Sequence, residues 1–291
     1  MENDIPHKFS RRDFLKLLLH GTVGGYITAR VSLTYSFVIE TEWIDIQRIK
    51  LTLPNLPKEF DGYRLVQISD IHFDDWMVPS KFSRIVDLVN QEKPDTIAIT
   101  GDIITTNQQH NKEEIIREFK RFTPKNKTYA ILGNHDHWTN PTLVSHIYEK
   151  SGIKDLSNKV QSIRAGNSHL YLCGLDDYWE RKTQLEKTLE NLPKDGCAIL
   201  MVHEPDYAEI SAQTGRFDLQ ISGHSHGGQV SIPLLGPPIV PPYSEKYPSG
   251  LYEVQGMYLY TNRGIGMIKP RIRFNYRPEI TVYKLLSPFS I

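Results

Sequence analysis

The chain has 291 residues, of which 39% are hydrophobic and 23% are charged, and its formal net charge is zero. These values are typical of a globular protein that can build a core. A neutral chain has no general positive field for a polyanion, so nucleic acid is not an expected partner. The only two cysteines, Cys173 and Cys197, lie in apolar runs and are too few for a disulfide framework.

The N-terminal segment carries a basic heptapeptide ahead of an apolar stretch. Residues 10–16 read Ser-Arg-Arg-Asp-Phe-Leu-Lys, and residues 17–29 are moderately apolar. This arrangement resembles a twin-arginine export signal, and a basic amphipathic helix is the alternative. No clean cleavage site follows, so the segment is either removed or kept as a membrane tether. We therefore predict a signal or anchor over residues 1–34, recognition by the twin-arginine export machinery, and a location in the cell envelope.

Beyond this segment, short apolar runs alternate with amphipathic helical patterns. Predicted strands cover residues 35–53 (as one or two strands), 64–69, 96–100, 128–132, 169–175, 198–202, 217–222, 251–254, 257–260 and 280–285, and predicted helices cover residues 80–91, 113–122, 141–150, 183–192 and 206–213. Strands that alternate with helices indicate an α/β sheet, and continuous apolar runs indicate strands that are covered on both faces. No break in this rhythm suggests a linker, so residues 35–291 are predicted to form one domain.

Five of the apolar runs end in side chains that can bind metal ions. These residues are Asp70 and His72, Asp102, Asn134 and His135, His203, and finally His224 and His226. One such residue would more often be a turn former or a helix cap, but five coincidences at strand ends are not explained that way. Ligands collect beyond the carboxyl ends of strands in α/β sheets. Mixed oxygen and nitrogen donors suit Mn, Fe, Zn, Co or Ni, and their number suggests two ions that share a carboxylate.

The five blocks read D-x-H, G-D, G-N-H-D, an isolated H and G-H-x-H, in this order between residues 64 and 230. They resemble the signature of the calcineurin-like metallophosphoesterase superfamily. The twin-arginine start, the Gly-His-Ser-His-Gly-Gly-Gln-Val block and the Arg-Phe-Asn tail at residues 273–275 resemble, more narrowly, exported bacterial phosphodiesterases of the YkuE/YaeI type. The resemblance implies an α/β fold with a β-sandwich of two mixed sheets flanked by helices. It also implies a dinuclear metal site at the carboxyl ends of the strands.

The same resemblance implies a role for each strand-end residue. One metal ion would be held by Asp70, His72 and His226, the other by Asn134, His203 and His224, and Asp102 would bridge them. The cofactors would be two divalent transition-metal ions (Mn, Fe, Zn or Co, with Mn favoured), and a hydroxide shared by them would attack a phosphate ester in line. His135 is the candidate that protonates the leaving oxygen. Asp136 either orients His135 or caps the helix that follows. His137 is interpreted as a solvated loop residue.

The substrate is the least determined feature. Residues 232–242 form a proline-rich apolar loop just beyond the His-x-His block, which either packs on the domain or rests on acyl chains or a membrane. With a tether, it favours a lipid or glycolipid phosphodiester as the hypothesis. The alternatives are a UDP-2,3-diacylglucosamine pyrophosphatase-type hydrolase of a lipid A precursor and a non-catalytic metal-binding envelope protein. Arg271 and Arg273 either reach a substrate phosphate or are surface charges.

Overall fold

The computed structural model describes residues 34–105 and 111–289, together with residues 20, 22, 26 and 30–32. The predicted signal or anchor over residues 1–34 lies almost wholly outside the described residues and stays a prediction. No helix within the described part of the chain has the length and apolar character that crossing a membrane requires.

Within the described residues, twelve strands and six α-helices are the main elements, beside several short 3₁₀ and π turns. The strands are β1 Asp45–Thr52, β2 Tyr63–Ile68, β3 Thr96–Thr100, β4 Thr128–Ile131, β5 Lys154–Asp155, β6 Lys159–Ala165, β7 Ser168–Gly174, β8 Ala198–Met201, β9 Leu219–Ser222, β10 Gly250–Val254, β11 Met257–Thr261 and β12 Glu279–Leu286. The helices are α1 Pro79–Gln91, α2 Lys112–Phe119, α3 Asn134–Thr139, α4 Pro141–Ser151, α5 Leu185–Asn191 and α6 Ala208–Ser211.

The strands form two six-stranded mixed sheets, as the family resemblance implies. The first sheet has the order β1-β12-β2-β3-β4-β5, and the second has the order β10-β11-β9-β8-β7-β6. In the first sheet β12 runs antiparallel to β2, while β2, β3, β4 and β5 are parallel. In the second sheet β11, β9, β8 and β7 are parallel, and β10 and β6 are antiparallel edges.

Three apolar clusters bind the layers together. Leu65 and Ile199 belong to the cluster between the sheets. Their neighbours along the strands, Val66 and Leu200, belong to outer clusters that the helices cover. Successive side chains of a strand point to opposite faces, so a strand buried on both faces needs a continuous apolar run. This explains why β2 and β8 could be predicted from their sequence.

The two sheets are joined at the edge where their central parallel strands end. The side chain of Gln67 on β2 donates to the Thr100 hydroxyl of β3 at 2.8 Å and to the Ser222 carbonyl of β9 at 2.9 Å. These three residues are buried. The carboxyl ends of strands from both sheets therefore open onto one common edge, where ligands of α/β proteins usually bind.

One predicted element is wrong in part, and one strand was not predicted. Residues Tyr35–Ile39 form a π-helical turn and Glu40–Glu42 a 3₁₀ turn, so the strand predicted from residue 35 begins only at Asp45. The apolar side chains of Val38 and Ile39 are exposed, and the run therefore lacks the burial that its composition suggested. Strand β6 was not predicted, because in this edge strand Ile163 is the only fully buried residue.

Candidate metal centre

The strand-end residues converge at the shared edge of the two sheets. Segments that follow β2, β3, β4, β8 and β9 supply the seven predicted ligands, all of them buried: Asp70, His72, Asp102, Asn134, His203, His224 and His226. The convergence depends on both sheets, because the first three strands belong to one sheet and the last two to the other.

One group of ligands consists of Asp70, His72 and His226, whose ligand atoms lie within 4.8 Å of one another. The Nε2 atoms of His72 and His226 are 3.0 Å apart. Oδ1 of Asp70 lies 3.5 Å from Nε2 of His226 and 3.9 Å from Nε2 of His72. Ligand atoms that each bind one ion at about 2.0–2.2 Å stand at such separations from each other. This group therefore fits a first cation.

The second group consists of Asp102, His203 and His224, again with ligand atoms within 4.8 Å. Oδ2 of Asp102 lies 3.2 Å from Nε2 of His203 and 3.6 Å from Nε2 of His72. One carboxylate oxygen thus stands between the two groups, in the position that a bridging ligand requires. Asn134 is also buried, and within the described residues its Oδ1 atom has no hydrogen-bond partner. A buried polar atom without a partner is costly, and a cation satisfies it.

Hydrogen bonds to the far side of each ring orient three of the imidazoles. Nδ1 of His203 donates to the Thr100 carbonyl at 2.7 Å, and Nε2 of His224 donates to the Pro242 carbonyl at 2.9 Å. Nδ1 of His72 pairs with the Thr105 hydroxyl. A partner on one ring nitrogen leaves the lone pair of the other nitrogen for the metal. Thr105 and Pro242 carried no sequence signal for this role.

Several ligands have a backbone conformation that is unusual for their residue type. The φ angles are 51° for Asp70, 52° for His72, 55° for Asp102, 68° for His224 and 50° for His226. Left-handed residues other than glycine cluster at functional sites, where surrounding contacts hold them in place. Here the N–H of Asp70 donates to the Gly101 carbonyl and the N–H of His72 to the Asp102 carbonyl, at 3.1 and 3.0 Å.

Two glycines allow the close approach of the carboxylates. A Cβ atom at Gly223 would collide with the Ser69 hydroxyl and with Oδ2 of Asp70, and one at Gly133 would collide with Oδ1 of Asp102. Both carboxylates belong to the ligand groups. The glycines of the Gly-His-x-His and Gly-Asn-His-Asp blocks are therefore required by space at the site itself.

Burial controls the protonation of the ligands. It lowers the pKa of His72 to about 3 and that of His224 to about 4, so both rings are neutral near pH 7. Burial also lowers the pKa of His203, but attraction to the Asp102 carboxylate outweighs it and raises this pKa well above its usual value. Since a ligand imidazole must be neutral to bind a metal ion, binding at His203 has to displace a proton.

His135 lies at the rim of the ligand cluster. Its ring is half-buried and packs edge-to-face on the ring of His72, with centroids 4.8 Å apart. Its backbone N–H donates to Oδ1 of Asp102 at 2.9 Å. The side chain is therefore beside the ligands and within reach of solvent, where a bound substrate would lie.

Of the two roles predicted for Asp136, the structure matches capping of the following helix rather than orientation of His135. Its fully buried carboxylate accepts four backbone N–H bonds of 2.9–3.1 Å, from Gly133 and from residues 102–104. Burial, and after it the charge of Asp102, raise the pKa of Asp136 to about 7, whereas the N–H donors lower it. Asp136 thus holds the backbone that carries the bridging ligand.

Two other interpretations of single residues are wrong. His137 is not a free loop residue, because it lies within α3, is half-buried, and pairs through Nε2 with Oδ1 of Asp176 at 2.7 Å. Arg273 is neither a phosphate ligand nor a surface charge, since it is fully buried. Its guanidinium donates to the backbone carbonyls of His226, Gly264, Gly266 and Tyr276. Arg271 pairs with the carboxylates of Asp74 and Asp75.

Two groups of nitrogen and oxygen ligands that share one carboxylate define the site of a dinuclear metalloprotein. A family model described as calcineurin-like phosphoesterase matches residues 63–228, which is more than half of the chain. The chain belongs to the calcineurin-like phosphoesterase family, an assignment that the five sequence blocks had predicted. It is thus a metal-dependent phosphoesterase by family and fold.

The chain is also similar to individual relatives. It is 36% identical over 284 residues to YkuE of Bacillus subtilis strain 168, which is described as an uncharacterized metallophosphoesterase. The alignment covers 96% of this chain and 99% of YkuE. It is 27% identical over 281 residues to the phosphodiesterase YaeI of Escherichia coli K12, covering 95% and 99% of the two chains. A transmembrane protein with a metallophosphoesterase domain from Danio rerio is 29% identical over 273 residues, covering 89% of this chain and 61% of that protein.

Proposed function

We propose that this protein is a phosphodiesterase that uses two divalent cations, with manganese favoured. The observation that carries the proposal is the position of Asp102 Oδ2, 3.2 Å from His203 Nε2 and 3.6 Å from His72 Nε2, which joins two ligand groups through one oxygen. When bound, two such ions neutralise charge on the phosphoryl oxygens and activate water. The similarity to a relative named phosphodiesterase supports diesters as substrates.

The residues of the chain divide the remaining work. The seven buried ligands hold the ions, and Asp136 fixes the backbone around Asp102. His135, half-buried at the rim, donates a proton to the leaving oxygen. General acid catalysis of this kind contributes about 10²–10⁴-fold. A pure metal-binding protein needs no such group beside its ligands, so the arrangement supports an enzyme over a non-catalytic envelope protein.

Two variants test the proposal. Asp102→Ala is expected to lose bound manganese and the hydrolysis of bis(p-nitrophenyl) phosphate together. His135→Gln is expected to keep its manganese and lose about 10²–10⁴-fold in kcat. Metal content by elemental analysis and kcat under added manganese are the measurements. Turnover in Asp102→Ala protein that binds no metal would rule out the proposed chemistry.

A lipid-linked diester is the substrate class that the surface supports. Leu234, Leu235 and Ile239 of the 232–242 loop are 106%, 81% and 79% exposed, so these side chains do not pack on the domain as the alternative interpretation required. The loop ends at Pro242, whose carbonyl accepts the hydrogen bond of the metal-centre residue His224. An exposed apolar loop attached to the site could rest on acyl chains.

Sedimentation with phospholipid vesicles tests this substrate class. The double variant Leu234→Ser, Leu235→Ser is expected to lose most vesicle binding, while Leu251→Ser, a change at an exposed leucine of β10, keeps it. Equal binding by all three proteins would count against a role of the loop. UDP-2,3-diacylglucosamine belongs in the accompanying substrate panel as the alternative.

Export and a location in the cell envelope remain part of the proposal and are tested by fractionating cells after replacing Arg11 and Arg12 with Lys.

A further inference from the structure

Three aromatic side chains form a wall beside the metal centre, which we call the aromatic wall: Trp138, Trp179 and Tyr243. The indoles of Trp138 and Trp179 pack edge-to-face with centroids 5.2 Å apart, and Trp179 packs in the same way on Tyr243 at 5.8 Å. Trp138 is 51% exposed and Tyr243 is 39% exposed. Large aromatic surfaces that stay open to solvent beside a buried polar site are typical of ligand contacts.

The wall connects the two ends of the catalytic site. The ring of Trp138 lies 4.9 Å from that of His135, and the ring of Trp179 lies 5.6 Å from that of His224. The proposed proton donor and a ligand of the second ion are thus joined by the wall. A leaving oxygen must come within hydrogen-bond reach of its proton donor. The group attached to that oxygen must therefore lie against Trp138.

The wall is held rigidly on the same segments as the ligands. The backbone N–H groups of Tyr178 and Trp179 donate to the two carboxylate oxygens of Glu204, at 3.2 and 2.9 Å. Glu204 is buried and directly follows the ligand His203. Trp138 belongs to α3, which begins at the ligand Asn134. Because both tryptophans are fixed to ligand segments, the wall is a preformed surface.

The polar groups along the wall accept hydrogen bonds and carry negative charge. Nε1 of Trp138 donates to Oε1 of Glu180 at 2.7 Å, and Glu180 is partly exposed. Asp176, three residues before Trp179, pairs with His137, which directly precedes Trp138. Ionised carboxylates only accept hydrogen bonds and repel anionic groups. A neutral ring with an apolar face and several hydroxyl donors matches both the indoles and the carboxylates.

We propose that the aromatic wall binds a pyranose ring, a six-membered sugar without a nucleobase, as the leaving group of the phosphodiester. In the reaction, a water oxygen forms a bond to phosphorus and the bond from phosphorus to the sugar oxygen breaks. The sugar oxygen takes the proton that His135 gives up, the proton lost by the attacking water returns through solvent to His135, and the phosphomonoester keeps the other alcohol. This inference rests on the proposed phosphodiesterase function and specifies its substrate class.

Competition against bis(p-nitrophenyl) phosphate tests the wall in the full-length, manganese-loaded protein. The competitors are three methyl phosphodiesters whose second alcohol is a glucopyranoside, uridine or n-butanol. The wild type is expected to bind the glucopyranoside diester about tenfold more tightly than the butyl diester, as ring contacts with aromatic side chains allow. The changes Trp138→Leu and Trp179→Leu should reduce this preference to within about twofold.

Two matched controls accompany these variants. Trp43→Leu alters an exposed tryptophan that stacks on Arg277 and should keep the full preference for the glucopyranoside. Trp138→Phe keeps an aromatic face and should keep most of it. A preference that survives Trp138→Leu and Trp179→Leu overturns the proposal, and so does a wild type that favours the uridine diester or does not distinguish the three.

Quenching of tryptophan fluorescence separates failure of this inference from failure of the proposed function. The same diesters are titrated into manganese-loaded protein, with no turnover needed. In one outcome the wild type hydrolyses no diester, but the glucopyranoside diester quenches its emission saturably and quenches that of Trp43→Leu in the same way. The wall then binds the sugar, and the reaction assignment fails. If hydrolysis is normal and no competitor quenches the emission, the reaction assignment stands and the sugar site is refuted.

Discussion

Replacing Asp136 with Asn distinguishes the two roles that its position after His135 allows. Each carboxylate oxygen accepts two backbone N–H bonds, one from Asp102 and Gly133, the other from Ile103 and Ile104. An Asn amide replaces one of these oxygens with an NH₂ group that faces two N–H donors. Leaving two buried donors unsatisfied, at about 1–3 kcal/mol each, gives an expected loss of about 2–6 kcal/mol in the free energy of unfolding.

Because the affected N–H groups flank the bridging ligand, we also expect weaker manganese binding. Urea unfolding and calorimetric titration with manganese measure the two effects. Asp218→Asn is the matched control: Asp218 is also buried and also accepts backbone N–H bonds, from Asn55 and Ala198, but it precedes β9 and lies at the opposite end of the strand. This control should lose stability and keep its manganese affinity. A stable Asp136→Asn protein with normal manganese affinity and a low kcat would refute the backbone role and favour orientation of His135.

Three further outcomes follow from the packing and charges. Gly223→Ala forces a methyl group against Asp70, so we expect a loss of about 1–3 kcal/mol in unfolding free energy and weaker metal binding, both read by thermal unfolding with and without manganese. Arg273→Met removes the side-chain donor to four carbonyls, of which those of His226 and Gly264 also accept backbone N–H bonds while the buried Gly266 carbonyl loses its partner. Urea unfolding should therefore show a loss of about 1–3 kcal/mol. The hydrogen bond with Asp176 raises the pKa of His137, so this pair stabilises the fold below about pH 6.5 and loses its effect as pH rises through the raised pKa. The effect is about 0.5 kcal/mol because the pair is partly exposed, and Asp176→Asn should remove this pH dependence from urea unfolding curves.

Most of the metal centre could be predicted because its signal is local in the chain. The run at residues 96–100, Thr-Ile-Ala-Ile-Thr, is buried throughout and ends directly in Gly101-Asp102, so both the strand and its terminal ligand can be predicted from adjacent residues. The same is true of the ligands after β2 and β9. Such patterns report burial on both faces of a strand, and the carboxyl end of the strand determines where the next side chains lie.

The features that sequence reasoning missed depend on contacts between distant segments. The hydrogen bond from His224 to the Pro242 carbonyl joins residues 18 positions apart without any periodic pattern. Trp138 follows a strand of the first sheet and Trp179 a strand of the second, so their contact exists only after the sheets have packed. The charge of Arg273 suggested a surface position, whereas four carbonyl acceptors allow it to be buried.

The left-handed backbone of five ligands has a consequence for how the ions are acquired. Each such residue costs about 1–2 kcal/mol, and that strain is sustained by the folded polypeptide through its own amide contacts. The protein's own hydrogen bonds therefore maintain the backbone conformation of these ligands, unlike small zinc modules that fold only around their metal. We therefore expect divalent ions of similar radius to bind without a change in this backbone conformation.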